Sequence, residues 1–169
     1  MTKSAPKLLP AELDPGATSA IRKATLAAAG LGVPGLFHPG IDETGMAAIW
    51  TSMVTVVARR SGATVSPATI TKLVTSALAS VAAYTLGSKI LTWLALPLIA
   101  AFPVAGVPAV VALNSTLNAL FTYRLGRDCA QRFSRPGFTA RDALDVGRHL
   151  VGLPTVTELA DLRDVLRGA

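Results

Sequence analysis

The chain has 169 residues, enough for one domain with a substantial buried core and too few for a second full domain. Hydrophobic residues make up 51% of it and charged ones only 15%, well below the roughly 25% of an ordinary soluble domain, so much apolar surface must find something other than water. Aromatic content of 5% argues against aromatic ligand recognition, and the +6 net charge is lopsided: Arg124, Arg127, Arg132, Arg135, Arg141 and Arg148 crowd the stretch after the longest apolar segment. That placement suits a flank on anionic lipid better than a nucleic-acid surface.

Residues 1–16 carry Lys3 and Lys7 but are broken by Pro6, Pro10 and Pro15, which excludes a continuous signal-peptide core and predicts a disordered or loosely docked arm. From Ala17 to Leu31, Ala, Ile and Leu recur at helical spacing, with Gly30 and Gly32 as an exit. The segment Val33 to Gly40 is turn chemistry. Asp42 then sits where a cap would precede a second helix, whose stripe of Ile49, Trp50, Met53, Val54 and Val57 ends near Arg59, Arg60 and Gly62. Ser66-Pro67 starts a third helix, with Ile70, Leu73, Val74, Ala77, Leu78 and Val81 on one face. Its other face, with Ser76, Ala79, Ser80 and Ala83, is small enough for another backbone to approach closely.

No charged residue occurs from Ile90 to Tyr123. The two halves of that segment, Leu86 to Phe102 and Ala105 to Tyr123, are predicted to form a helical hairpin turning at Pro103 to Pro108. A bilayer core takes about 20 apolar residues; the second half has that length, and the first reaches it if Lys89 snorkels and Pro97 is tolerated. The expected lipid contacts are Leu91, Trp93, Leu94, Leu98, Ile99, Phe102, Val110, Val111 and Leu120. Both hairpin ends would face the cytoplasm, beside the cationic flanks, where Arg124, Arg127, Arg132 and Arg135 would meet lipid headgroups or a partner. The last helix of the hairpin should run on to Pro136-Gly137. Thr139 caps a short amphipathic helix to about Leu150, and Thr155 with Glu158 has capping-box spacing ahead of Leu159, Leu162, Val165 and Leu166. The expected fold is therefore an all-α bundle: a hydrophobic helical domain over residues 17–136, followed by amphipathic C-terminal helices over 137–169.

Three stretches together resemble a known family. They are Pro34-Gly35 with Gly40-Ile41-Asp42 and the helix end Val57-Ala58-Arg59-Arg60-Ser61-Gly62; the helix Leu73 to Leu86; and Asn118-Ala119-Leu120-Phe121-Thr122-Tyr123-Arg124-Leu125-Gly126-Arg127. Their order and spacing resemble the YcjF-like hydrophobic domain, a GTPase-associated membrane domain, over roughly Ala17 to Arg135. The resemblance implies a membrane-associated helical domain with a GTPase partner, and it brings no catalytic residue with it. The chain contains no phosphate-cradling loop of its own, because Gly87-Ser88-Lys89 lacks the required preceding glycine.

Candidate chemistry is sparse. His38 and His149 are far apart and have no His or Cys at ligand spacing, so neither a metal nor a cofactor is expected. Cys129, the single cysteine, reads as a buried structural residue rather than as half of a pair with His149. Asp42 and Glu43 read as helix-start acids. Asn114 and Asn118, four apart in an apolar helix, either line a polar path or subunit contact, or bond across to Ser80, Thr85 or Thr92 within the bundle. Ser76, Ser80, Ala83, Asn114, Ser115, Asn118 and Ala119 are the expected helix–helix or oligomer contacts. Two functions follow as expectations. The first is a non-enzymatic membrane anchor or assembly scaffold at the cytoplasmic membrane, self-associating and serving a GTPase. The alternative is a soluble or peripheral self-assembling protein that buries its apolar helices between subunits.

Overall fold

The computed structural model describes residues 13–31, 41–83, 103–135, 137–151 and 154–167. Six helices are found there, and no strand occurs among the described residues: α1 (Pro15–Gly30), α2 (Ile41–Arg60), α3 (67–83), α4 (Pro103–Phe133), α5 (Ala140–His149) and α6 (Val156–Arg167). They pack as one bundle. Helix α1 lies against α2 and α4, α2 also touches α4, and α6 and α5 close onto the far half of α4.

The local chemistry of each terminus explains where these helices start and stop. The Asp14 carboxylate accepts the Ala17 N–H at 3.0 Å, and Pro15 takes the first helical position, where its missing N–H costs nothing. Helix α2 ends in paired 6→1 and 5→2 bonds, Ala63 N–H to Ala58 O at 3.0 Å and Gly62 N–H to Arg59 O at 3.2 Å. Gly62 sits at φ +69°, a conformation that costs a residue with a Cβ. Ser66 caps α3 through its hydroxyl, which accepts the Thr69 N–H at 3.2 Å. Asp42, expected to precede α2, falls inside it.

The buried faces follow helical period. Ala17, Ile21, Ala24 and Ala28 of α1, with Met46, Trp50, Met53, Val54 and Val57 of α2, form two stripes that meet α4. Ile70, Leu73, Val74 and Ala77 come from α3, Ala143, Val146 and Leu150 from α5, and Leu162 from α6. Helix α4 is the hub, supplying Ala119, Leu120, Phe121, Tyr123, Leu125, Cys129, Ala130 and Phe133. Two glycines permit the closest approaches. A Cβ on Gly126 would stand 2.7 Å from Ile21 Cγ1 and 3.1 Å from Met53 Sδ, where α1, α2 and α4 meet; one on Gly147 would stand 3.0 Å from the Ser76 backbone, where α5 crosses α3.

The predicted hairpin is corrected here. Pro103 to Pro108, expected as its turn, is the beginning of α4. Pro103 occupies the first helical position without loss, whereas Pro108, inside the helix, forfeits the bond its N–H would have made four residues back and sets its ring against that carbonyl. The other half, Leu86 to Phe102, lies outside the described residues, together with Leu91, Trp93, Leu94, Leu98, Ile99 and Phe102. No helix among the described residues is long and apolar enough to cross a membrane. The uncharged half of α4 is interrupted by Asn114, Ser115, Thr116 and Asn118, and from Asn118 onward the helix turns its apolar side chains into the bundle. Leu120, expected against lipid, is 3% exposed. Val110 and Val111 are half-buried.

Replacing Gly126 with alanine should overpack the three-helix crossing and lower stability by about 1–3 kcal/mol, read as a drop in the urea midpoint. Gly30→Ala, in a helical position with open space around it, should instead raise stability by about 0.4–1 kcal/mol and move the midpoint up.

Candidate functional site

The arginine-rich part of α4 was expected to face outward. Its first two arginines do the opposite. Arg124 is 9% exposed, and its guanidinium donates through Nη1 to the Leu150 carbonyl at 3.0 Å and through Nε and Nη2 to the two Glu158 oxygens at 3.3 and 3.1 Å. This fork matches carboxylate geometry, and the carbonyl takes a further donor. Arg127, one turn on, donates to Asp161 Oδ2 at 3.0 Å and to the Tyr123 hydroxyl at 3.3 Å, with its guanidinium 5.5 Å from that ring's centroid. The two arginines are three apart on α4, and their carboxylates are three apart on α6, so a single register of the helix pair satisfies both. Arg132 reaches Asp142 on α5 at 3.9 Å, and Arg135 alone of the four is exposed. Arg124 and Arg127, expected against lipid headgroups or a partner, instead hold Glu158 and Asp161 of the same chain in this fold.

Glu158 serves two purposes. Its Oε2 accepts the Thr155 N–H at 2.8 Å and the Thr155 hydroxyl at 3.1 Å, while its own N–H donates to Thr155 Oγ1 at 3.2 Å; this is the capping box read from the sequence. Partial burial pushes its carboxyl up, but the Thr155 N–H and the Arg124 guanidinium outweigh that and hold it below the usual range. Asp142 closes the equivalent box on α5, taking the Thr139 hydroxyl and N–H, which depress its carboxyl. Burial raises the Tyr123 phenol above its ordinary value, with Arg127 opposing and Asp161 adding to the rise.

The expected small-residue contacts divide. Ala119 is fully buried, so it serves packing inside the chain and not contact between copies. Ser76 and Ser80 are half-buried, and the Ser80 hydroxyl donates to the Ser76 carbonyl at 3.0 Å instead of to an asparagine. Asn114 and Ser115 are half-buried, and Ala83 is exposed. Asn118 is buried and its side-chain amide nitrogen has no hydrogen-bond partner; its backbone carbonyl accepts the Thr122 hydroxyl at 2.7 Å, and that hydroxyl in turn accepts the Trp50 indole N–H at 2.8 Å. This Trp50–Thr122 bond ties α2 to α4 inside the core and was not legible in the sequence, because nothing local pairs residues so distant.

Chemistry does not converge anywhere among the described residues. No three His, Cys, Asp or Glu side chains gather there as a metal site. The shallow trough along α2, lined by Ala47, Ala48, Thr51, Ser52, Thr55, Val56 and Arg59, holds no acid and no nucleophile beyond hydroxyls. Cys129 is fully buried, and burial pushes its thiol well above the usual range, which removes the thiolate that nucleophilic work needs.

What the surface does offer is apolar. On the near half of α4, Val107, Pro108, Ala109, Ala112 and Leu113 are exposed, Leu113 by 55%. Helix α6, whose Leu159, Leu162 and Leu166 are expected as a stripe for a partner or surface, buries only Leu162 in the bundle, because Glu158 and Asp161 take the inward arc beside it. No family model, curated protein or solved structure matches the chain.

Two predictions follow from the buried groups. Glu158→Ala leaves Arg124 buried without its counter-ion and removes the cap, and should cost about 2–3 kcal/mol, the lower end for a broken buried pair because Glu158 keeps 21% of its surface in water. The carboxyl is depressed in the fold, so its contribution is complete above the ordinary glutamate value of about 4.3 and is lost as pH falls through the folded value. Acid unfolding followed by circular dichroism should therefore show a shallower acid limb in Glu158→Gln than in the native chain. Cys129 should stay silent to Ellman's reagent in the folded protein and react fully in denaturant, so that its labelling rate reports opening of the core.

Proposed function

We propose that this chain is a non-enzymatic, membrane-associated helical scaffold that rests against a bilayer through apolar surface, with its termini on the cytoplasmic side. The observation that carries the reading is the exposed apolar near half of α4, Val107 to Leu113, which belongs to the charge-free run from Ile90 to Tyr123. An apolar patch of this kind on an otherwise well-packed bundle marks an interaction surface. A GTPase partner is proposed on the resemblance to the YcjF-like hydrophobic domain.

A second reading is self-assembly, with the same α4 face buried between copies. It is favoured by the small exposed residues Ala109 and Ala112, which would allow close helix approach. Fractionation separates the two. Under the scaffold reading the chain stays in the membrane fraction through a high-salt wash, and Leu113→Glu reduces that retention at least severalfold while leaving helicity unchanged. Release by salt as a discrete oligomer that Leu113→Glu dissociates would replace the scaffold reading with the second one.

A further inference from the structure

Helix α6 is amphipathic in an unusual sense, because its two sides are specialised for different surroundings. At about 100° per residue, Glu158, Asp161, Leu162 and Val165 share one arc, and these are its buried or half-buried residues. The opposite and flanking arc carries Val156, Leu159, Arg163, Leu166 and Arg167, all exposed, with Val156 at 85% and Leu159 at 43%. Thr157 and Asp164 lie on the remaining edge, also exposed. The fold thus sorts the charges of this helix. Two of its three acids point inward onto Arg127 and Arg124 at 3.0 and 3.1 Å, and the third, Asp164, is set to the side with a solvent-exposed contact to Arg163 at 3.3 Å, a pair of little strength. What remains outward is aliphatic and cationic.

We propose that this outward arc of α6 is a docking face for an anionic phospholipid surface, with Val156, Leu159 and Leu166 entering the headgroup boundary and Arg163 and Arg167 meeting lipid phosphates. The proposal rests on the membrane-associated reading above and names the lipid chemistry and the element that reads it. Charge complementarity selects the occupant. The chain carries a net +6, and a basic and aliphatic helix face partitions into the interface of an anionic membrane. A second copy of the chain fits poorly: pairing α6 with itself about a mid-helix two-fold axis sets each Arg163 against the other chain's Leu159. Two of the three α6 carboxylates are already held by Arg124 and Arg127, and the third, Asp164, lies off this face.

Nitroxide labels on single introduced cysteines test this in the full chain, since the buried Cys129 needs no replacement. The sites are Leu159→Cys and Leu166→Cys on the proposed face, with Thr157→Cys and Asp164→Cys as edge controls. Each is measured with vesicles of phosphatidylglycerol and phosphatidylcholine, with phosphatidylcholine alone, and without lipid. Labels at 159 and 166 should become shielded from an aqueous nickel chelate only with phosphatidylglycerol, while those at 157 and 164 stay accessible. The double variant Arg163→Gln with Arg167→Gln should lower the shielded fraction at limiting lipid about thirty-fold, the equivalent of about 1 kcal/mol per arginine.

If the chain sediments with the vesicles while labels 159 and 166 stay accessible, this proposal is overturned and the membrane reading stands. Failure to sediment with either vesicle overturns both. Equal shielding on phosphatidylcholine alone refutes the charge selection, and shielding without lipid accompanied by a doubled mass in light scattering assigns the face to a second copy instead.

Discussion

A guanidinium taken out of water must bring its counter-ions with it, and Arg124 imposes that requirement on the whole C-terminal third. On α4 it is 9% exposed, amid the buried face that Tyr123 and Leu125 also belong to. The Leu150 carbonyl that it binds exists as a free acceptor only because α5 ends there, and the Glu158 carboxylate arrives only because α6 begins at Val156 with Glu158 in its first turn. The two C-terminal helices are thus placed by the chemistry of one side chain on α4 as much as by their own modest apolar faces. Breaking one member of a buried pair is costly even where the intact pair adds little net stability, so the contact acts mainly to fix register. The second pair, Arg127 with Asp161, repeats the spacing and excludes a slip of α6 along α4.

The other half of α4 obeys a different constraint. Before Asn118 it has no charge, and Val107, Pro108, Ala109, Ala112 and Leu113 are exposed; beyond it the helix packs against α1, α2, α5 and α6. Gly126 lets α1 and α2 close upon it together, and the Trp50–Thr122 bond adds direction to an otherwise aliphatic contact. One continuous helix therefore belongs to a packed interior at one end and to an apolar surface at the other, and this division supports the reading of the chain as a scaffold.

Much of the fold could be read from local sequence because local chemistry decides helix ends. Gly62, Thr139 and the Thr155–Glu158 pair each act within a few residues of themselves, and each is found doing what its spacing implies. The stripes of α1, α2 and α3 were legible for the same reason, since period alone sets which residues share a face. What failed depended on partners distant in sequence. The arginines of α4 read as a cytoplasmic flank because nothing near them shows that Glu158 and Asp161 will come back to them. The leucines of α6 read as one stripe because they share a helical period, and only the distant contacts of Glu158 and Asp161 with α4 decide that Leu162 turns inward while Leu159 and Leu166 stay exposed. Pro103 and Pro108 read as a turn because proline punctuates chains, although Pro103 takes the first helical position, where proline does little harm, and the helix continues through Pro108.

The separation between partners also bears on how the chain matures during synthesis. Ile21 waits for Gly126, and Trp50 for Thr122 seventy-two residues later, so neither α1 nor α2 can complete its interior until most of the protein has been made. At about 5–20 residues per second, the thirty-four residues between Arg124 and Glu158 add about 2–7 s in which the central helix is present while its counter-ions are not. Distant closures of this kind slow folding, because loop entropy must be overcome before the contacts reward it. The nascent chain therefore passes through an interval with its central helix incompletely covered, and a bilayer or a chaperone within reach during that interval would meet the protein before its C-terminal helices do.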